Sequence, residues 1–504
     1  MAKRQRSLVK PVLDKDLRKF TYLEEVNQHV ASGLVRPGLG FLVLVVAGLL
    51  GTSFATSTTD NAAIIVTSVI AAYMAMNIGA NNVTNNVGAA VGSRAITIVQ
   101  ALVIAAIFEV AGAFIGSGRV ISTISTGIID TSAVADKTDF IWAMMAALLA
   151  AALWTNMATW LRAPISTTHT VVGCILGAGV ASSGPGGVHW LSVASIAAGW
   201  VVAPLIGGTI AAVFLAIITR LITSQEDRIG AARRWVPVLT GIMAGVFTIY
   251  LVIKGLGRVY SFTWTEACLI GLASGIVIWA VSRPVVMRQS SSGGTRGEIM
   301  RGLFRLPLLF AAALMSFAHG SNDVSNAVGP LSAIIQAAHG QTMGMQVSMP
   351  AWVLPIGALG LAAGMSLFGP RLIRIVGEKI TKLNPARAYC ISLSTAVTVI
   401  VASIFGFPVS TTHIAIGSVF GVGFYREWQS NRMLRLAREA SATSGDGSGN
   451  TGVDEDETSP EEMRRRYLVR RSHFMTIVGA WIITLPIAAA LSATVYTILS
   501  LSLN

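Results

Sequence analysis

Apolar runs long enough to cross a bilayer recur along this chain: 40–57, 62–79, 95–116, 140–161, 191–219, 236–254, 264–282, 303–318, 351–369, 388–406 and 474–500. A helix needs roughly 20 mostly apolar residues to span hydrocarbon, and a segment in lipid must satisfy its own backbone hydrogen bonds. The fold class this predicts is an all-α polytopic membrane protein of about 12 transmembrane helices. Charge agrees: 12% of residues are Asp, Glu, Lys or Arg, about half the share in a soluble domain. The net charge of +13 does not point to nucleic acid, because the positive residues lie between apolar runs, where they set orientation. Cys174, Cys268 and Cys390 sit in apolar sequence without CxxC spacing, so neither a disulfide framework nor a metal site follows.

The chain also repeats itself. Gly79-Ala80-Asn81-Asn82-Val83-Thr84-Asn85 returns as Gly320-Ser321-Asn322-Asp323-Val324-Ser325-Asn326, and Pro164-Ile165-Ser166-Thr167-Thr168-His169 returns as Pro408-Val409-Ser410-Thr411-Thr412-His413. The first motif shifts by 241 residues and the second by 244. Two unrelated motifs in one order at nearly one offset indicate a duplicated unit.

Loop charge gives the two copies opposite orientations. The stretch before the first Asn motif, 52–60, has no Lys or Arg, whereas 283–305 has Arg283, Arg288, Arg296, Arg301 and Arg305. The stretch after the first Ser-Thr-Thr-His, 183–190, has none, and 426–472 has nine; loop 117–139 has two against five in 370–388. Lys/Arg-rich loops stay inside, so the halves form an inverted repeat, a plan that places a binding site near the midplane. The expected organisation is a cytoplasmic segment 1–38, an additional helix 39–58, a first repeat 60–220, a second repeat 236–425 with its leading helices in 236–282, a flexible cytoplasmic loop 426–472 and a C-terminal span 473–504. The long basic segment before residue 40 exceeds a signal peptide's n-region, so the expected N-terminus is cytoplasmic, in a multi-pass protein of a cell (inner) membrane. Arg94 and the loop arginines read as topology signals.

The motifs carry chemistry. Pro-x-Ser-Thr-Thr-His opens a helix: proline suits the first turn and the hydroxyls cap free N–H groups. Two such starts entering from opposite sides would offer an oxyanion the hydroxyls and amides of Ser166, Thr167, Thr168, Ser410, Thr411 and Thr412. Asn81, Asn85, Asn322, Asp323 and Asn326 supply hard oxygen ligands of the kind alkali cations need, and the glycines around them would let the helices break and free carbonyls. The bland alternative is polar glue between helices. An ionisable group at membrane depth is a functional candidate by default, which singles out Asp323 and Glu109. His169 and His413 read as backbone-bonded braces of the hairpins. Ser166 and His169 share a helix face, but no third orienting group and no Gly-x-Ser-x-Gly or His-Glu-x-x-His accompanies them, so the chain reads as no enzyme. A passive channel is disfavoured by the inverted repeat.

These paired motifs resemble the PiT inorganic phosphate transporter family over about residues 60–504, the 426–472 loop apart. The resemblance implies a secondary transporter with two re-entrant hairpins. It implies phosphate on the Ser-Thr-Thr segments, a coupling cation (Na+ or H+) on the Asn/Asp segments, no cofactor, a lipid bilayer as surroundings and a possible homodimer. The run 40–57 looks like an addition before the family's first helix. Two positions depart from the family pattern. Asn82 stands where the first motif usually has Asp, and Ser392 where the helix before the second hairpin often has Glu. Phosphate near pH 7 keeps a P–OH proton and wants an acceptor, whereas sulfate wants donors only. The missing carboxylates favour sulfate, while the resemblance implies sodium-driven phosphate symport; sulfate permeation and proton-coupled phosphate transport are the alternatives.

Overall fold

A computed structural model describes residues 35–54, 61–130, 136–161, 165–256, 260–291, 293–339, 350–379, 384–443 and 471–503. The segment before residue 35, Ala163 and Pro164 of the first hairpin motif, and the Gly/Ser-rich stretch 444–470 lie outside the described residues. Among the described residues the structure is helical, with one isolated bridge between Ile129 and Val188.

Among the described residues eleven helices have the length and apolarity of a membrane span, one for each apolar run of the sequence. The first half holds α1 (Val35–Phe54), α2 (Asn61–Gly92), α3 (Ile98–Gly116), α4 (Gly118–Thr126), α5 (Lys137–Trp160), α6 (Thr167–Ser183) and α7 (Trp190–Ile218). The linkers α8 (Arg228–Lys254), α9 (Trp264–Ser290) and α10 (Arg296–Leu303) follow. The second half holds α11 (Arg305–Asp323), α12 (Ser325–Ala338), α13 (Val353–Lys379), α14 (Pro385–Ile404), α15 (Thr411–Thr443) and α16 (Arg471–Leu503).

Local signals start these helices. A Thr97/Gln100 capping box opens α3 and a Thr263/Glu266 box opens α9. Asn384 caps α14 ahead of Pro385, a proline placed where its missing N–H costs nothing. At the far end of α14 the chain turns through Gly406 at φ 79, a left-handed conformation open to glycine. There Arg119 and Thr123 of α4 donate to the carbonyls of Ile404 and Gly406 at 2.7 Å each.

The two copies exchange partners. α2 packs on α13 while α11 packs on α3; α6 packs on α16 while α15 packs on α7. Glycines set the closest approaches. A Cβ on Gly79 would lie 2.1 Å from the Leu361 carbonyl oxygen, and one on Gly320 would lie 2.0 Å from that of Glu109. Each Asn motif is thus pressed backbone to backbone against a helix of the other half.

Three expectations change. The first Asn motif lies inside the unbroken helix α2; its glycine serves close packing, not a break. The second motif is interrupted only at Val324, whose φ −58 and ψ −32 remain helical between α11 and α12. The stretch 117–139, expected as loop, carries α4, and α15 continues through 426–443 into the expected flexible loop. Residues 426–443 contain no Gly or Pro and many Arg, Leu, Ala and Glu, which are strong helix formers.

Candidate functional site

The side chains singled out by the two motifs gather where α2, α6, α11 and α15 meet. Asp323, fully buried at the end of α11, is the hub. Its Oδ2 accepts from Asn82 Nδ2 at 2.9 Å, from Thr411 Oγ1 at 3.3 Å and from Thr167 Oγ1 at 3.4 Å. Thr167 and Thr411 are the first residues of α6 and α15. One carboxylate oxygen therefore sits between two helix N-termini, where free N–H groups and the helix dipole favour negative charge.

The cross-links are exchanged in the same manner as the helices. Asn85 of the first copy donates to Thr412 of the second at 2.8 Å, and Asn326 of the second donates to Thr168 of the first at 3.2 Å. Thr168 Oγ1 donates to the Val409 carbonyl at 3.1 Å, and Thr412 Oγ1 to Asn82 Oδ1 at 3.5 Å. Ser166 and Ser410 are the helix caps, accepting from the His169 and His413 amides at 3.1 and 3.3 Å. The two imidazoles meet each other at 4.4 Å between ring centroids, and His169 lies 3.9 Å from the Trp200 ring. The Ser166 hydroxyl is thus engaged as a cap by the backbone of His169, while the imidazole packs on rings.

Asn81 and Asn322 face away from Asp323. Asn81 donates to Thr159 at 3.0 Å; Asn322 donates to Ser403 at 3.0 Å and to the Phe407 carbonyl at 3.1 Å, and its Oδ1 accepts from the Val409 amide. These two amides hold the helices that precede α6 and α15. Ser392 is buried in α14 and makes no hydrogen bond to the cluster among the described residues.

A residue outside both motif readings completes the centre. His319, one turn before Asp323, bonds through Nδ1 to Glu109 Oε1, and its Nε2 lies 3.1 Å from Asp323 Oδ2. Asn86 donates to the same Glu109 oxygen at 3.3 Å. All of these groups are essentially excluded from solvent. Comparing the copies signals His319, since it replaces Ile78 of the first. Leu361 holds against Gly79 the place that Glu109 holds against Gly320, so among the described residues this histidine–carboxylate connection occurs in one half only. Four buried oxygens of the cluster, Asp323 Oδ1, Asn326 Oδ1, Asn86 Oδ1 and Glu109 Oε2, make no hydrogen bond among the described residues. A buried acceptor without a donor is costly, and such oxygens are what a hard cation takes.

A multi-pass helical membrane protein whose buried polar centre joins two helix N-termini to a carboxylate has the parts of a solute carrier. The chain belongs to the phosphate transporter family: the pattern described as "Phosphate transporter family" matches residues 78–492. A Helicobacter pylori (strain J99) protein named "Putative phosphate permease" is 38% identical, over 96% of this chain and 98% of its own length. A Pyrococcus abyssi protein of the same description is 32% identical, over 86% and 98%. A solved structure titled "The sodium-dependent phosphate transporter" superposes with a TM-score of 0.75 at 31% identity, covering 87% of this chain and 99% of that one.

Proposed function

We propose that this protein carries inorganic phosphate in symport with sodium, with the anion held by the Ser-Thr-Thr starts of α6 and α15 and the cation by Asp323 and neighbouring oxygens. The observation that carries this reading is the shared use of donors. Thr167 and Thr411, which would serve an oxyanion, donate to Asp323. An arriving phosphate competes for those hydroxyls and brings negative charge beside a buried carboxylate. Two like charges about 4 Å apart at an effective dielectric of about 20 repel by roughly 4 kcal/mol. A cation on the free Asp323 oxygen removes that penalty, so each ligand raises the other's affinity, by as much as about a thousandfold. The name of the superposed structure, a sodium-dependent transporter, supports sodium as that cation.

The exchanged packing of the halves supports the inverted repeat, and the helix starts at Thr167 and Thr411 support hairpins that enter from opposite sides. Basic loops support an inside N-terminus in a cell membrane. Asn82, an amide donor where a second carboxylate would provide an acceptor, favours an anion that only accepts hydrogen bonds and keeps sulfate as the second reading. Uptake into proteoliposomes separates these cases, using labelled phosphate and labelled sulfate with a sodium gradient, a proton gradient or neither. Phosphate accumulation driven by sodium is expected. Asp323→Asn should abolish the sodium dependence of anion binding. Accumulation driven only by protons, preference for sulfate, or full sodium coupling in Asp323→Asn would each overturn the corresponding part.

A further inference from the structure

Away from the buried centre, a water-open cleft of about 1840 Å³ lies among the ends of several helices. Five arginines from four separate segments line it: Arg94 in the α2–α3 turn, Arg228 at the start of α8, Arg296 and Arg301 on α10, and Arg387 in the first turn of α14. The acidic residues in its lining are Glu226 and Asp227. Asp227 is committed as the cap of α8, accepting from the Gly230 amide at 2.9 Å. None of the five guanidiniums forms an ion pair among the described residues.

Orientation alone needs arginines on one side of the membrane; it does not need them to converge on a concavity. Two features go further. Arg94 is the one non-glycine residue with positive φ among the described residues, at 58°, and Arg305 Nε holds that turn by donating to the Ala95 carbonyl at 3.0 Å. Arg94 is the left-handed residue that ends α2, where the Ala95 amide donates to the Ala90 carbonyl at 3.0 Å, so the fold fixes the point from which its side chain leaves the turn. Arg387 is half-buried, and the like charge beside it is Arg426. Guanidiniums bind phosphate oxygens through paired N–H groups.

We infer that this arginine cleft is a second anion site, separate from the transport centre, which binds ligands carrying two or more phosphate groups. The number of arginines and the size of the cleft exceed what a single phosphate ion can engage. A soluble polyphosphate and a two-phosphate lipid headgroup share this chemistry. A bound ligand would join α10 to the turn that ends α2 and to the start of α14, and so would restrain the helices that carry Asn82 and lead into α15.

The test uses the full chain in nanodiscs of zwitterionic lipid, with inorganic tripolyphosphate as one probe, titrated calorimetrically. Cardiolipin doped into the discs is the other probe, read by thermal stabilisation. Three variants are compared with the parent. Arg296→Gln/Arg301→Gln removes two cleft charges. Arg220→Gln/Arg234→Gln removes two exposed arginines outside the cleft lining. The third replaces Ser166, Thr167 and Thr168 with alanine. The expected result is saturable binding of a probe that weakens at least tenfold in the cleft variant. It should stay within twofold in the other two, while orthophosphate binding by the cleft variant is unchanged. Whichever probe behaves so identifies the ligand's source. Binding of neither probe, an equal loss in both arginine pairs, or loss on removal of the hydroxyl cluster would overturn the assignment.

Discussion

Replacing Asn82 with aspartate tests how the buried centre handles charge. Asn82 Nδ2 lies 2.9 Å from Asp323 Oδ2, and its Oδ1 is 3.5 Å from Thr412 Oγ1. Aspartate is nearly isosteric, so Asn82→Asp puts a second carboxylate oxygen where a donor now stands. Both residues are at most 1% exposed, so water screens the pair little. At an effective dielectric of about 20, two unit charges at that separation repel by about 6 kcal/mol, and rotation apart to about 5–6 Å halves this. The remaining 3 kcal/mol or so corresponds to roughly a hundredfold. The pair should be relieved by an additional bound cation. Phosphate affinity at low sodium should therefore fall at least about a hundredfold, and recover at high sodium with a steeper sodium dependence than the parent. Sodium should also stabilise the variant against heat more than it stabilises the parent, because a ligand bound only to the folded state adds stability by mass action. Calorimetric phosphate titrations over a sodium series, with thermal melts in the same buffers, measure both. Asn82→Ala removes the donor without adding charge and isolates the electrostatic part. A folded Asn82→Asp protein with the parent's sodium order and half-saturation would refute the reasoning, since position 82 would then not act on Asp323.

Thr167→Val and Thr411→Val each remove one hydroxyl, and each should weaken phosphate binding at saturating sodium by about 1.5–3 kcal/mol; unchanged affinity in both would take the helix starts out of the anion site. His319→Leu leaves Glu109 and Asp323 without the group between them. Breaking such a buried arrangement should cost about 3–5 kcal/mol, visible as a lower melting temperature, and a parental melting curve would mean that the contact is energetically idle. Gly320→Ala drives a methyl to 2.0 Å from the Glu109 carbonyl oxygen, whereas at Gly88 the nearest atom to a new methyl is Thr84 Cβ at 3.5 Å. The first should lower the melting temperature by the equivalent of about 1–3 kcal/mol or more, and the second should leave it unchanged or raise it slightly through helix propensity; equal effects at both positions would refute the packing argument.

The sequence alone determined the membrane-spanning class, the positions of the eleven spanning helices among the described residues, the recurrence of two motifs and the hydroxyl and carboxamide residues within them. Those properties are local: a run of apolar residues forces a helix in lipid whatever its neighbours, and two copies of a motif are visible without geometry. The capping role of Ser166 and Ser410 is local too, because a cap bonds three residues along its own chain. Which motif residues meet which was not legible. Asn81 and Asn82 are adjacent in sequence, yet one helix position apart they face Thr159 and Asp323 respectively. The partners of Asp323 come from α2, α6 and α15, far apart along the chain, and only the packing angles of those helices bring them together. His319 lies just outside the motif and is marked in sequence only by replacing Ile78 of the first copy; its role, reaching Glu109 on α3 as well as Asp323 one turn away, appears only in the packed structure. The charge balance of the centre was likewise a tertiary matter. A count of carboxylates in two motifs cannot show that a carboxylate and two helix N-termini share one set of hydroxyl donors; that depends on distances of about 3 Å between segments that meet only when the halves exchange partners.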